Sequence, residues 1–289
     1  MVASVLSVMV RRLLPPLLVS VCAALLGGCA HDATIAELQA SSYSPHRDTR
    51  AGGEPLATFI RQRSAILIAG ATVQAERIES GQSALNLRLA GPGAITAGAT
   101  AIDARGYFLC TAAAVLRGPH TLVMNDGIGY RVLPARLVWR GDVGRGEPEV
   151  AVLHVDRPLL HVFDWAPSWR RRQAVVGAGS NLNGRLAMQV SVFGGRLIRS
   201  TTTPSASGPQ VMVFHSAPVH PGDSGGPLTD TEGRLLGVNL DTLRRFSFQR
   251  LSYLTTARAF RPNPAWLKSL IDADFNRQLQ AAGTAADRP

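Results

Sequence analysis

Cysteine is nearly missing from this chain. Three occur in 289 residues: Cys22, Cys29 and Cys110. With the first two in the N-terminal segment, Cys110 stands alone and no intrachain disulfide framework can form. It sits in an apolar run and reads as a buried small hydrophobe. No histidine pair has metal-ligand spacing and one thiol adds no zinc signature, so neither metal nor cofactor is expected. Acidic groups are the minority, and the net charge of +10 comes almost wholly from arginine. A basic surface favours anionic partners such as lipopolysaccharide or acidic polymers. No nucleic-acid-binding motif is present, and the arginine excess is read as a bias of composition. The apolar run Leu13–Leu26 is too short for a comfortable membrane span.

That run has the length of a signal segment, and Arg11 and Arg12 precede it. It ends in Leu26-Gly27-Gly28-Cys29, which resembles a lipobox. The resemblance implies cleavage before Cys29 and acylation of that cysteine. Residues 1–28 are then a signal peptide and 29–54 a tether, polar and without apolar periodicity. Acyl chains hold a soluble domain to a membrane without a spanning helix, at about 0.8 kcal/mol per buried methylene. Ala30, where aspartate would otherwise retain the protein, points to an outer-membrane lipoprotein facing the periplasm. The mature chain of about 260 residues suits one double-barrel β domain better than two independent domains.

From Ser64 onward, short apolar or alternating runs are separated by turn residues. They include Ala65–Ala69, Leu85–Leu89, Ala94–Ile102, Tyr107–Val115, Thr121–Met124, Tyr130–Val138 and Val150–Val155. Beyond a link with Trp165, Trp169 and Arg170-Arg171-Arg172 come Val175–Gly179, Leu186–Gly194, Leu197–Ser200, Val211–His215, Leu235–Leu240 and Phe246–Tyr253. Strands at this spacing predict a barrel or sandwich. The arginine run is read as a solvated face. Leu56–Ile60 predicts a short helix leading into the domain. Asn263-Pro264 caps and opens another, whose Leu267, Ile271, Phe275 and Leu279 form one apolar face.

The stretch His220-Pro221-Gly222-Asp223-Ser224-Gly225-Gly226-Pro227-Leu228 carries the chemistry. Its glycines permit a tight turn that exposes Ser224. The amides of Gly222 and Ser224 can then form an oxyanion hole, the preorganised donor pair that acyl transfer requires. The run resembles the nucleophile segment of trypsin-like serine peptidases, most closely the bacterial HtrA/DegP-type branch, and the resemblance covers residues 64–280. It implies an all-β fold, a chymotrypsin-like double β-barrel with a C-terminal α-helix. The parts are a first barrel at 55–160, a link at 161–172, a second barrel at 173–262 and the helix at 263–281, packed on the second barrel. Few residues follow that helix, so the PDZ domain of many relatives is not expected.

The resemblance breaks at the catalytic base. In the family a histidine closes a Thr-Ala-Ala-type run. Here the run is Gly106-Tyr107-Phe108-Leu109-Cys110-Thr111-Ala112-Ala113-Ala114-Val115, and the histidine position is Ala114, or Ala113 if counted from Gly106. The acid position, opening Val150-Ala151-Val152-Leu153, is Glu149, and Asp126-Gly127 between the two landmarks also fits the family pattern. A base must take the serine proton and return it to the leaving group; alanine does neither. Loss of the base costs on the order of 10⁶ in turnover. The expectation is a peptidase homologue without general proteolysis that binds a peptide or envelope protein. The alternative is an active serine endopeptidase with His120, His220 or a substrate histidine as base. No activation site for a zymogen switch is seen, and the partner of Asp223 is left open, a nearby arginine being one candidate. Pro218 occupies the position that sets specificity for basic residues, so the pocket, bordered by Val238-Asn239-Leu240, is expected to prefer apolar or small groups. Oligomeric state has no signal here.

Overall fold

The structure, a computed structural model, describes residues 53–77, 85–90, 94–116, 118–125, 130–179, 190–247 and 252–286. Cys29, the signal segment, the tether to residue 52 and Asp126-Gly127 lie outside the described residues. Among the described residues no helix is long and apolar enough to cross a membrane.

Helix α1 (Gly53–Arg61) leads into six strands that close into a barrel. These are β1 (Ser64–Ala69), β4 (Ile95–Asp103), β5 (Tyr107–Thr111), β6 (His120–Asn125), β7 (Tyr130–Arg140) and β8 (Val150–His154). The order around the barrel is β1-β4-β5-β8-β7-β6, antiparallel throughout. A separate hairpin, β2 (Thr72–Arg77) with β3 (Leu85–Ala90), stands between β1 and β4 in sequence. The second barrel runs β10-β11-β14-β13-β12-β9. Its strands are β9 (Ala174–Gly179), β10 (Ser191–Thr203), β11 (Gln210–His215), β12 (Pro227–Asp230), β13 (Leu235–Ser247) and β14 (Ser252–Arg261), followed by helix α2 (Pro264–Ala286). The chain is therefore an all-β, chymotrypsin-like double barrel with a C-terminal helix.

Several strands read as unbroken apolar runs because both of their faces are buried. On β5, Phe108 and Cys110 face the first-barrel core with Leu67, Ala99 and Leu153. Tyr107 and Leu109 face outward, yet meet Val238, Phe260, Leu267 and Ile271. On β1, Ala65 and Leu67 face inward, while Ile66 and Ile68 pack on Val176 and Val192 of the second barrel. Two of the four core clusters thus hold side chains from both barrels.

Four expectations are corrected. Tyr107–Val115 is not one strand: β5 ends at Thr111 and a 3₁₀ turn, Ala112–Val115, follows. Leu197–Ser200 is not a strand of its own, because β10 continues through a register shift between Leu197 and Arg199. Phe246–Tyr253 is the tip of the long β13–β14 hairpin, with 248–251 outside the described residues. Helix α2 runs to Ala286 and packs against both barrels, because Leu267 and Ile271 share one cluster with β5, β8, β13 and β14. Asn263 Oδ1 caps it, accepting from Ala265 N at 2.9 Å. Asp274, 4% exposed, accepts from Tyr107 Oη at 2.9 Å and Arg136 Nη2 at 2.7 Å, both on first-barrel strands. Burial would push its carboxyl up, but the hydrogen bonds from Arg136, Tyr107 and Gln278 outweigh that and hold it below the usual carboxylate range.

Candidate active site

Ser224 sits in a turn held from both sides. Gly222 and Gly225 have φ of +94° and +87°, conformations that side chains with a Cβ rarely adopt. Asp223 N donates to His220 O and Gly226 N to Asp223 O, each at 3.0 Å, so two tight turns follow one another. From the second barrel, Gly225 N donates to Asn239 O at 2.7 Å and Asn239 N to Gly226 O at 2.8 Å. From the first barrel, Gly98 N donates to Ser224 O at 2.7 Å and Thr100 Oγ1 to Gly225 O at 2.9 Å. A Cβ on Gly98 would lie 2.4 Å from Gly226 N, so β4 needs glycine there for the close approach. The serine position is a product of the barrel interface as much as of its own loop.

The Ser224 hydroxyl donates to the Leu240 carbonyl of β13. The Ser224 amide donates to no acceptor among the described residues. Asp223 is fully buried, and its carboxylate accepts from the His220 backbone N–H at 2.7 Å. His220 Nδ1 is 3.9 Å from the same carboxylate.

The other sequence-derived positions lie across the interface. Ala114 is in the 3₁₀ turn after β5, 4% exposed and packed in the first-barrel core, while Ala113 is exposed. Ala112 N donates to Glu149 O at 3.4 Å, joining that turn to the start of β8. Glu149 also faces the second barrel. The Arg258 guanidinium is raised above its ordinary value chiefly by the hydrogen bond it donates to Asp241, and further by the Asp241 charge and the nearby Glu149. Asp241 follows Leu240, the acceptor of the serine hydroxyl.

His120 Nε2 is 3.4 Å from Val115 O at the end of the 3₁₀ turn. His154 bonds Arg105 O at 3.1 Å and stacks on Tyr107. Cys110 is fully buried and burial pushes its thiol up, so it is no nucleophile. Among the described residues no cluster of histidine, cysteine or carboxylates could hold a metal.

Sequence reasoning assigned His215 no role and placed Asn239 only at the border of the pocket. Both are 0% exposed inside the second barrel. Neither ring nitrogen of His215 has a hydrogen-bond partner among the described residues, and Asn239 Oδ1 has none either. Burial pulls His215 down to about 4; Asn239 lies close enough to oppose this, although the two make no well-formed hydrogen bond. The period-two pattern with buried Val213 was the available signal that His215 points inward.

Residues 97–238 match the family model of the trypsin-like peptidase domain. No curated protein sequence matches the chain. Among solved structures, the Rv3671c protease from M. tuberculosis in its active form superimposes with a TM-score of 0.53 at 16% identity, over 78% of this chain and 86% of that one. The HtrA-type protease AlgW with tripeptide gives 0.52 at 19% identity, over 74% of this chain and 60% of that one. At such identities the likeness is one of fold.

Proposed function

The chain carries a trypsin-like peptidase domain over residues 97–238, and from that premise we propose that it is a homologue that has lost general proteolysis and holds a peptide or envelope protein in its cleft. The observation that carries this reading is the Ser224 hydroxyl, which gives its hydrogen to the Leu240 carbonyl. A backbone carbonyl accepts a hydrogen bond but does not take a proton, so the oxygen stays a neutral, weak nucleophile. Alanine at position 114 offers no base. The Ser224 amide remains as a donor for a peptide carbonyl. Cys29, as an acylated N-terminus, would place the domain at the outer membrane on the periplasmic side.

The test is labelling by a serine-reactive fluorophosphonate. Wild type labels no faster than Ser224→Ala, whereas Ala114→His labels at Ser224 and cleaves casein. Rapid stoichiometric labelling of wild type overturns the reading.

A second reading, an active serine endopeptidase, draws on His220. Its ring lies 3.9 Å from buried Asp223 within the nucleophile turn, a carboxylate and imidazole side by side. Labelling present in wild type and abolished in His220→Ala would favour it.

A further inference from the structure

Arg170-Arg171-Arg172 stands at the end of the link between the barrels, just before β9. Gln173 N donates to Arg170 O at 3.2 Å and closes a tight turn there. Arg172 has φ of +65°, and among the described residues it is the one residue other than glycine in the left-handed region. That corner of a turn suits glycine or asparagine, so the arginine is held against its backbone preference. From β10, Arg196 reaches the same turn. Its Nη1 donates to Arg172 O at 3.2 Å, and Arg172 N donates to Leu197 O at 2.8 Å. Arg199 follows past the register shift, its guanidinium over the Phe214 ring. All five arginines are exposed, and among the described residues none pairs with a carboxylate. On the other side of β9, Asp230 and Glu232 are both bonded to Arg234. Trp169 borders the cluster, half-buried against the second-barrel core, with its Nε1 donating to Ser200 Oγ at 3.2 Å.

We propose that this face docks on an anionic membrane surface, its arginines taking the phosphates of lipid headgroups. The solvated face expected from the sequence is thus a cluster built from two separate segments. Like charges gathered without counter-charges repel one another, and a layer of phosphates meets several of them at once. The planar guanidinium matches phosphate through two parallel N–H groups. Trp169 has the apolar body and polar edge that suit headgroup depth. One bordering aromatic is not the series of stacking rings with which proteins hold single-stranded nucleic acid. The inference is independent of what the cleft holds. With Cys29 acylated, the face adds the second signal that stable anchoring takes.

Co-sedimentation of the full chain with vesicles decides the matter. Pure phosphatidylcholine vesicles read what the apolar N-terminal run contributes, and vesicles of equal parts phosphatidylcholine and phosphatidylglycerol read the patch. The chain binds the mixed vesicles more tightly, and added salt removes the difference. Each arginine near such a surface is worth about fivefold in affinity, so Arg171→Gln weakens binding about fivefold and the triple variant Arg170→Gln, Arg171→Gln, Arg172→Gln about a hundredfold. Arg172→Gly, which puts at the turn a residue its backbone suits, folds as wild type does and still loses about fivefold. Arg140→Gln makes the same change of net charge on an exposed residue of β7 and leaves binding as it was. Equal binding to both kinds of vesicle overturns the inference. So does a loss in Arg140→Gln as large as in Arg171→Gln, which makes net charge the cause. Tighter binding to inorganic polyphosphate than to the mixed vesicles overturns it in favour of a soluble polyanion.

Discussion

Burial decides what His215 costs and when. Its ordinary value of about 6.5 applies to the unfolded chain, and in the fold it is held down near 4. The unfolded state therefore binds the proton more readily, and stability is lost as pH falls from about 6.5 towards 4, by roughly 3 kcal/mol in full. His154, also lowered mainly by burial, adds in the same direction. Thermal melts of wild type fall between pH 7 and pH 4.5, and His215→Leu flattens much of that slope. An unchanged slope in the variant would place the titration elsewhere. Gly98 is decided by contact instead. A methyl group there meets Gly226 N at 2.4 Å, so Gly98→Ala destabilises by about 2 kcal/mol. It also displaces the Ser224 turn, and denaturant midpoints together with fluorophosphonate labelling of the Ala114→His background read both effects. Ser224 itself was legible because its glycine spacing is local. His215 was not, because its environment comes from β13 and β14, more than twenty residues away in sequence.

Helix α2 shows how an element is fixed by more than its apolar stripe. Leu267 and Ile271 enter the junction core, and Asp274 adds hydrogen bonds to Tyr107, Arg136 and Gln278. Removing the carboxylate leaves Tyr107 Oη, on a fully buried residue, without that acceptor. Asp274→Ala accordingly costs about 2 kcal/mol, an amount discounted because Arg136 is half exposed. Because its folded value is depressed, Asp274 stabilises the helix above about pH 4 and the contribution is lost as pH falls below that. Trp139 and Trp266, with ring centroids 4.9 Å apart, report the docking: near-UV circular dichroism weakens in Asp274→Ala at pH 7 and in wild type only in strong acid. The helix start was legible in Asn263-Pro264. Its double contact was not, since a stripe of apolar residues does not say how many partners it meets. The long β13–β14 hairpin escaped notice for a related reason: half of each strand extends past the barrel and lacks the apolar run that marks the rest.

The two barrels unfold together. Ile66 and Ile68 of the first pack on Val176 and Val192 of the second, and Tyr107 and Leu109 share a cluster with Val238 and Phe260. The bonds from Gly98 and Thr100 to the Ser224 turn cross the same interface. Calorimetry gives one transition with matching calorimetric and van't Hoff enthalpies. Two separated transitions would show that the interface couples the barrels weakly, and the turn would then have to be held by the second barrel alone.

What the sequence determined by itself is local or periodic: the strands, the glycine-rich turn around Ser224 and the cap of α2. Such features depend on neighbours within a few residues, and backbone sterics and side-chain period suffice to read them. The tertiary structure decided which atoms meet across the interface: Ser224 with the Leu240 carbonyl, Glu149 facing Arg258, and Asn239 close to His215. Closing two barrels against each other sets those distances, and strand register over long separations is a property of the whole packed core.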